Sequence, residues 1–555
     1  MKQIMGASSL VLMVNLASIA AAGLGATGCN AILGLEPGEK GEITRGAGGD
    51  GGAGGAGGAG GGGETIGACE PRSIAACYTG PEETENVGVC KGGQKVCNDD
   101  GLGYGECTGE VLPVAACGST ADENCNGHLR SEWMWAESFG DSGYQFTRAV
   151  AVDTSGNAVV VGSFAGSVDF GGGSLTSEGG NDVFVAKLGP KGEHLWSKRF
   201  GNWNEQVGFG VAVDSDGNIL LTGMFDGSID LGGDTLTSAG TKDVFLAKLN
   251  RDGGHIWSKK FGDGTNQIGQ SVAVDAHGNV ALCGSFEGTL NFGSGELTSG
   301  GKTDIFVATF DATGKRRWDK RFGDTSAQEC NSVAMDADGN VAITGSFTGW
   351  VNFGKGQLQS AGGLDVFLAK FGSDGAVLWG HGFGTVTEQS GQSVAMSPDG
   401  GVVVGGYFSG SINLGGGALT DPGTSNIFLA KFDSAGTHAW SRAYGDAEAQ
   451  ILESVAVDGC GDVLATGYFS GVVDFGGGAL TSKGLDDLFV VKLGPKGDHV
   501  WSRSFGDAAG QYGTAIAVGP GGHGYVAGQF EGTIDMGGVL ETKGGYDALL
   551  SRFEP

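Results

Sequence analysis

Trp196-Ser-Lys-Arg-Phe-Gly-Asn-Trp-Asn-Glu-Gln206 returns 61 residues later as Trp257-Ser-Lys-Lys-Phe-Gly-Asp-Gly-Thr-Asn-Gln267. The same tryptophan recurs at Trp135, Trp318, Trp379, Trp440 and Trp501, so seven stand at one spacing. A fixed period that long marks one supersecondary unit copied along the chain. Other residues keep the phase. Gln145, Gln206, Gln267, Gln328, Gln389, Gln450 and Gln511 each follow their tryptophan by ten positions. Asp182, Asp243, Asp304, Asp365, Asn426, Asp487 and Asp547 come near the end of each unit, the last unit being one residue shorter. Seven units of 61 residues need 427 positions, and residues 131–555 supply 425.

The second unit shows what is repeated. Trp196-Ser-Lys-Arg-Phe200 has apolar ends and a polar middle, the pattern of a strand with one buried face. Residues 201–206 read as a loop and Val211-Ala-Val213 as a short apolar run. Asp214-Ser-Asp-Gly-Asn218 reads as a turn, with Asp bonding its own backbone and Gly-Asn able to take positive φ. Residues 219–225 predict a second strand, 226–241 a long Gly-rich connection, and Val244-Phe-Leu-Ala-Lys-Leu249 a third strand. Asn250-Arg-Asp-Gly253 turns into the next tryptophan strand. No stretch of the array carries apolar spacing of 3.6 over a dozen residues, so helix is nearly excluded.

Four strands per unit with Gly and aromatic landmarks predict an all-β fold, a seven-bladed β-propeller of four-stranded antiparallel blades. A linear solenoid would need unlike capping units with polar outer faces. Here the last unit keeps its apolar Ala548-Leu-Leu550, and a tryptophan strand precedes the first unit. Residues 133–139 are therefore expected to complete the final blade beside residues 547–553, removing an open edge.

Val-Ala-Val-Asp-x-x-Gly-Asn followed by Val-x-Gly-Ser-Phe resembles the seven-bladed β-propeller repeat (SBBP-type) family of bacterial exported proteins. The resemblance covers residues 131–555. It implies the fold and leaves the activity open, since members of that family are mostly uncharacterised.

The N-terminus reads as an export address. Met1-Lys2 is followed by a mostly apolar run from Leu10 to Ala22 and then small residues, the order of a signal peptide. Ala26-Thr27-Gly28-Cys29 resembles a bacterial lipoprotein box, with Ala26 where the family usually has Leu. The resemblance implies signal cleavage after residue 28, acylation of Cys29, a membrane partner through that anchor, and an outer-membrane or cell-surface location. Two or more acyl chains are what stable attachment requires. Residues 46–63, almost all Gly and Ala, can bury nothing, and 29–66 read as a disordered tether.

Cys69, Cys77, Cys90, Cys97, Cys107, Cys117 and Cys125 crowd into residues 67–130. In an exported chain that density reads as a disulfide framework. Zinc sites usually pair cysteines two to four residues apart, and no C-x-x-C occurs here. Seven is odd, so one cysteine is free or pairs with Cys283, Cys330 or Cys460. Cys77-Tyr-Thr-Gly-Pro81, Gly88-Val-Cys90 and Asp122-Glu-Asn-Cys-Asn-Gly127 resemble a cysteine-rich module of bacterial surface lipoproteins. In that group the last phrase is labelled metal-binding, and Asp122 with Glu123 is a weak candidate for calcium. No other cofactor is expected.

The formal charge of −30 argues against nucleic acid, which is bound by clustered Lys and Arg. The 113 glycines, far above the usual share of roughly 7%, fill turns and the tether. The glutamines and the Asp182-to-Asp547 series belong to the face carrying the inter-unit and Gly-rich loops. That face is the candidate binding face, because long loops on a rigid scaffold carry function. Each of these residues also has a simpler reading as a brace for loop backbone, and the tryptophans as packing between sheets. Asp214-Ser-Asp-Gly-Asn218 and Asp336-Ala-Asp-Gly-Asn340 look like the start of a calcium loop but lack the acidic ligand near the twelfth position.

Catalysis would need residues that break the repeat. His194, His255, His438 and His499 share a phase, while His277, His381 and His523 do not. Glu205, Glu329, Glu388 and Glu453 vary between units near the loop face, but no spacing selects an acid–base pair. No nucleophile elbow, His-Glu-x-x-His or Walker loop is present. No catalytic residue is assigned. The expectation is a non-catalytic envelope lipoprotein displaying or binding protein or polysaccharide. The alternative is a secreted hydrolase or lyase with its site in the loop-rich mouth.

Overall fold

The computed structural model describes residues 69–77, 91–99, 104, 107–108, 133–420 and 423–554. Cys29, Cys90, Cys117, Cys125, the tether and the Asp122-Glu123 phrase lie outside them.

Each repeat folds as a four-stranded antiparallel blade. Blade 2 runs from the inner strand Gln206–Val213 through Ile219–Phe225 and Asp243–Leu249 to the outer strand His255–Phe261. The other inner strands are Tyr144–Val152, Gln267–Val274, Gln328–Met335, Gln389–Met396, Gln450–Val457 and Gln511–Val518. They belong to blades 1, 3, 4, 5, 6 and 7, and each packs against its neighbours around a closed ring, blade 7 against blade 1. The repeat array is thus a seven-bladed β-propeller. Trp133–Phe139 pairs with Asp547–Phe553 as the outer strand of blade 7, as the sequence phase predicts.

Two parts of the unit differ from expectation. The inner strand begins at the glutamine and continues through the apolar run as one strand. The Gly-rich connection is not structureless: Ser228–Ile229 pairs with Leu236–Thr237, and every blade has the equivalent ribbon. Its apolar residues are too few to be read as strands alone. They bury against the blade, as Ile229 and Leu231 do.

Tryptophan and glycine explain each other between blades. The indole nitrogen of Trp440 donates to the Pro495 carbonyl at 3.0 Å, in the turn before the next outer strand. Its ring lies over Gly497, whose φ of +75° and lack of Cβ admit it. Trp379 repeats this with Ser434 and Gly436. Serines stitch the inner strands: Val333 N, Val394 N, Val455 N and Ile516 N donate to Ser271, Ser332, Ser393 and Ser454 Oγ.

Cys283 of blade 3 and Cys330 of blade 4 are fully buried and form a disulfide between blades. Cys460 is also disulfide-bonded. The pairing of two array cysteines with each other is a solution the odd count did not suggest. In the small N-terminal unit, Ile74–Cys77 pairs with Gly93–Val96, held by Cys69–Cys97 and Cys77–Cys107.

Candidate functional site

The loops sort onto two faces. On one, the Asp-x-x-Gly-Asn turns are closed networks. Asp153 Oδ1 accepts from the Ser155 and Asn157 amides, and Oδ2 from the Asn157 amide group and the Lys187 ammonium at 2.8 Å. Asp214 does the same with Lys248. Their lone pairs are occupied by donors, which leaves no cation ligand. Among the described residues no group of three or more His, Cys, Asp or Glu is arranged to hold a metal ion. His277 lies on this face, where its amide donates to Asp275 Oδ1, and His523 Nδ1 lies 2.8 Å from Glu554. His381 bonds the Gly436 carbonyl on an outer strand.

The opposite face carries the glutamines and the aspartate series. Gln145, Gln206, Gln267, Gln328, Gln389, Gln450 and Gln511 are all 0% exposed. Gln206 Oε1 accepts from the Asn202 amide at 3.0 Å, while Nε2 donates to Asn202 Oδ1 and the Asp226 carbonyl. Asp182, Asp243, Asp304, Asp365, Asn426, Asp487 and Asp547 are buried too. Asp243 accepts from the Ala239 amide and the Lys260 ammonium. Asp365 has the Ala361 amide and Gly382 where blades 1 to 3 carry a cation, and burial pushes its carboxyl up to about 6. The glycine of each Phe-Gly loop is required here: a Cβ at Gly262 would press on both Asp243 and Gln267. These fourteen side chains are braced into loops and turned from solvent.

What faces the channel is a different set. Every inner strand has a β-bulge, where one residue has no partner on the second strand. The bulge is made room for by the glycine of Val-x-Gly-Ser-Phe. A Cβ at Gly162, Gly223 or Gly284 would collide with the carbonyl of Phe146, Val207 or Ile268. The bulged residues are Arg148, Phe209, Gln270, Asn331, Gln392, Glu453 and Thr514. Lying on the free edges of a closed ring of strands, they converge on the axis. Asn331 Nδ2 accordingly donates to the Gly391 carbonyl at 2.9 Å and to Gln392 Oε1 at 3.3 Å, both in the next blade.

Exposure falls along the channel from the loop face. Tyr144 at the rim is 53% exposed and Glu388 is exposed. Below them Phe146, Glu329 and Tyr512 are half-buried. At the bulges Asn331, Glu453 and Thr514 are 1% exposed and Gln270 and Gln392 are buried, while Arg148 and Phe209 are half-buried. The inner strands then continue as Val150, Val211, Val272, Val333, Val394, Val455 and Ile516, all fully buried. The channel is therefore a funnel open to the loop face and narrowing at the bulge ring.

The funnel is lopsided. Blades 6, 7 and 1 line it with aromatics. Tyr468 and Tyr512 meet edge to face at 4.8 Å, Tyr512 and Tyr546 at 5.8 Å, and Tyr144 stacks parallel to Phe146 at 6.0 Å. Tyr512 donates to Asp486 Oδ2 at 3.1 Å. The Arg148 guanidinium lies 5.6 Å from the Phe146 ring centre. Burial pushes the Glu453 carboxyl up to about 8 against the opposing pull of Arg148, and burial lowers Arg148 in turn. Arg148 Nε and Nη1, Glu453 Oε2, Gln270 Oε1, Asn331 Oδ1 and the nearby Gln529 Oε1 are buried without a protein hydrogen-bond partner. Sequence reasoning singled out Glu329 and Glu453 but missed the ring. The available signal was a phase occupied by six residue types, two positions after an equally varied collar phase, in strands that otherwise keep their glutamine and their apolar run.

No known family model matches the chain. It is 24% identical over 440 residues to an uncharacterized WD repeat-containing protein of Acanthamoeba polyphaga mimivirus, covering 62% of this chain and 31% of that one. It is 25% identical over 357 residues to the regulatory protein FlaEY of Caulobacter vibrioides, covering 59% and 36%. The chain thus spans about a third of the length of these curated relatives. Among solved structures it is similar to hydrazine synthase of Kuenenia stuttgartiensis, at 10% identity and a TM-score of 0.39 over 71% of this chain and 95% of that one.

Proposed function

We propose that the chain is an exported cell-envelope protein whose propeller is a non-catalytic binding scaffold, and that the funnel is where its ligand enters. The observation that carries this is the location of variety. A repeat that keeps its tryptophans, glutamines and valines changes residue type at the bulge ring and collar, at one end of one channel. The WD repeat-containing and regulatory relatives favour binding over turnover. Buried disulfides suit an oxidising compartment and hence export. The lipid anchor at Cys29 completes this reading, with the tether holding the propeller off the membrane.

The test is capture by the full-length chain on glycan and protein arrays, run beside Arg148→Met. Ligands retained by the wild type are expected to be lost from the variant; equal capture by both sinks the funnel as the site. Cys29→Ser should move the protein from the membrane to the soluble fraction, and unchanged fractionation refutes the anchor.

One observation favours the rival reading of a hydrolase or lyase. A carboxyl that keeps its proton near neutral pH, as Glu453 does, suits a general acid. Release of reducing ends from a polysaccharide panel, abolished in Glu453→Gln, would decide for it.

A further inference from the structure

The unpartnered atoms of the funnel specify a chemistry. Arg148 Nε and Nη1 offer hydrogens, Gln270 Oε1, Asn331 Oδ1 and Gln529 Oε1 offer lone pairs, and the Glu453 carboxyl, which holds its proton, offers both. All are out of solvent, where an unmatched polar group is costly. A ligand that serves both kinds has to donate and to accept, most compactly through groups that do both. Hydroxyls do so; a carboxylate, phosphate or ammonium does only one.

The collar adds a second requirement. Tyr144, Phe146, Tyr512 and Tyr546 form an aromatic wall on one side of the entrance, in mutual contact through Tyr546. Tyr144 is half exposed, so part of the wall meets solvent. Such a wall suits a ligand with an apolar C–H face beside its hydroxyls. Charge supplies the third. Glu329 and Glu388 stand on the collar of a chain whose formal charge is −30, which disfavours anionic ligands, while Glu205 is paired with Lys242. Shape supplies the fourth: a closed ring of seven strands that narrows at its bulges favours the end of a chain over its middle.

We propose that the funnel seats the terminal residue of a neutral polysaccharide, entering end-on, with its hydroxyls on the bulge ring and its C–H face on the tyrosine wall. This rests on the reading of the funnel as the binding site. An extended peptide fits less well, because its amide donors and acceptors are separate atoms and its termini are charged.

The test is calorimetric titration of the full-length protein with neutral oligosaccharides of several linkages, oligouronates, and an unbiased peptide pool. At least one neutral series is expected to bind, with affinity independent of chain length beyond the terminal few sugars. Glu453→Leu and Arg148→Met, which remove those hydrogen-bonding groups, should each weaken it at least tenfold. Tyr144→Ser, at a solvent-exposed position that folding tolerates, should weaken it several-fold, and His277→Ala on the opposite face should leave it unchanged. Melting curves separate lost binding from lost fold. Binding of oligouronates or peptides alone, abolished by the funnel variants, overturns the saccharide assignment and leaves the funnel as the site. Binding indifferent to all three funnel variants, or no binding in any arm, overturns both.

Discussion

Trp133 stacks on Phe553 across the seam that joins the two ends of the array, with ring centres 4.8 Å apart and planes within 18°. Trp133 also lies 4.5 Å from Phe505 of blade 6, so one residue binds the first strand of the array to its last two blades. Deleting residues 133–139 exposes the backbone edge of Asp547–Phe553 and opens the ring. Trp133→Ala alone should cost about 3 kcal/mol. Thermal melting and limited proteolysis check both. A deletion variant that melts with the wild type would falsify closure as the source of stability.

The glutamines give a prediction about loops. Gln267 Nε2 donates to Asp263 Oδ1 and to the Glu287 carbonyl, while Oε1 accepts from the Asp263 amide. Hydrogen bonds from Thr265 and Thr289, outweighing burial, hold the Asp263 carboxyl down at about 2. Gln267→Glu would aim a second carboxylate at a permanently charged one, at a cost of about 2–4 kcal/mol. The introduced group would have a raised folded-state pKa. Its contribution is therefore favourable at low pH and lost as pH rises, so the gap to the wild type should narrow from pH 7 to pH 4. A gap independent of pH would mean that the amide does not donate to Asp263.

Among the described residues a disulfide joins blade 3 to blade 4 and no other pair of blades. The Cys283–Cys330 bridge spans 47 positions, for which loop-closure entropy gives about 4 kcal/mol. Cys283→Ser with Cys330→Ser should lower the free energy of unfolding by that order in denaturant titrations. Peptide mapping without reductant should recover the pair joined. Recovery of free thiols at both positions defeats this prediction.

Architecture was legible because seven in-phase copies of Trp, Gln and Asp average out the ambiguity of any single strand. The seam was legible for the same reason, since a tryptophan strand precedes the first complete unit. The bulge ring was not. Residues such as Phe209 and Thr514 look like ordinary variation, and only the missing partner opposite them shows that they face the axis. The glutamines misdirect in the opposite sense: their regularity draws attention, yet regularity here belongs to the scaffold. Position 148 and its six counterparts carry the difference between blades, which is where a single asymmetric site in a symmetric frame has to be built.

That asymmetry has a pH signature. Burial raises the Glu453 carboxyl from 4.5 to about 8, with Arg148 opposing. A folded-state pKa above the unfolded one contributes stability that is complete below about pH 4.5. It is lost as the unfolded chain, but not the folded one, gives up its proton between there and pH 8. At about 1.4 kcal/mol per pH unit, the total is at most about 4–5 kcal/mol. Glu453→Gln has no proton to lose, so the wild type should fall steadily behind it from pH 5 to pH 8 in denaturant titrations, then run parallel. In Arg148→Met the opposing charge is gone, and the decline should continue past pH 8. Curves for the wild type and Glu453→Gln that stay parallel over the whole range would place the carboxyl in contact with solvent or a cation, and the funnel would then have no buried acid at its floor.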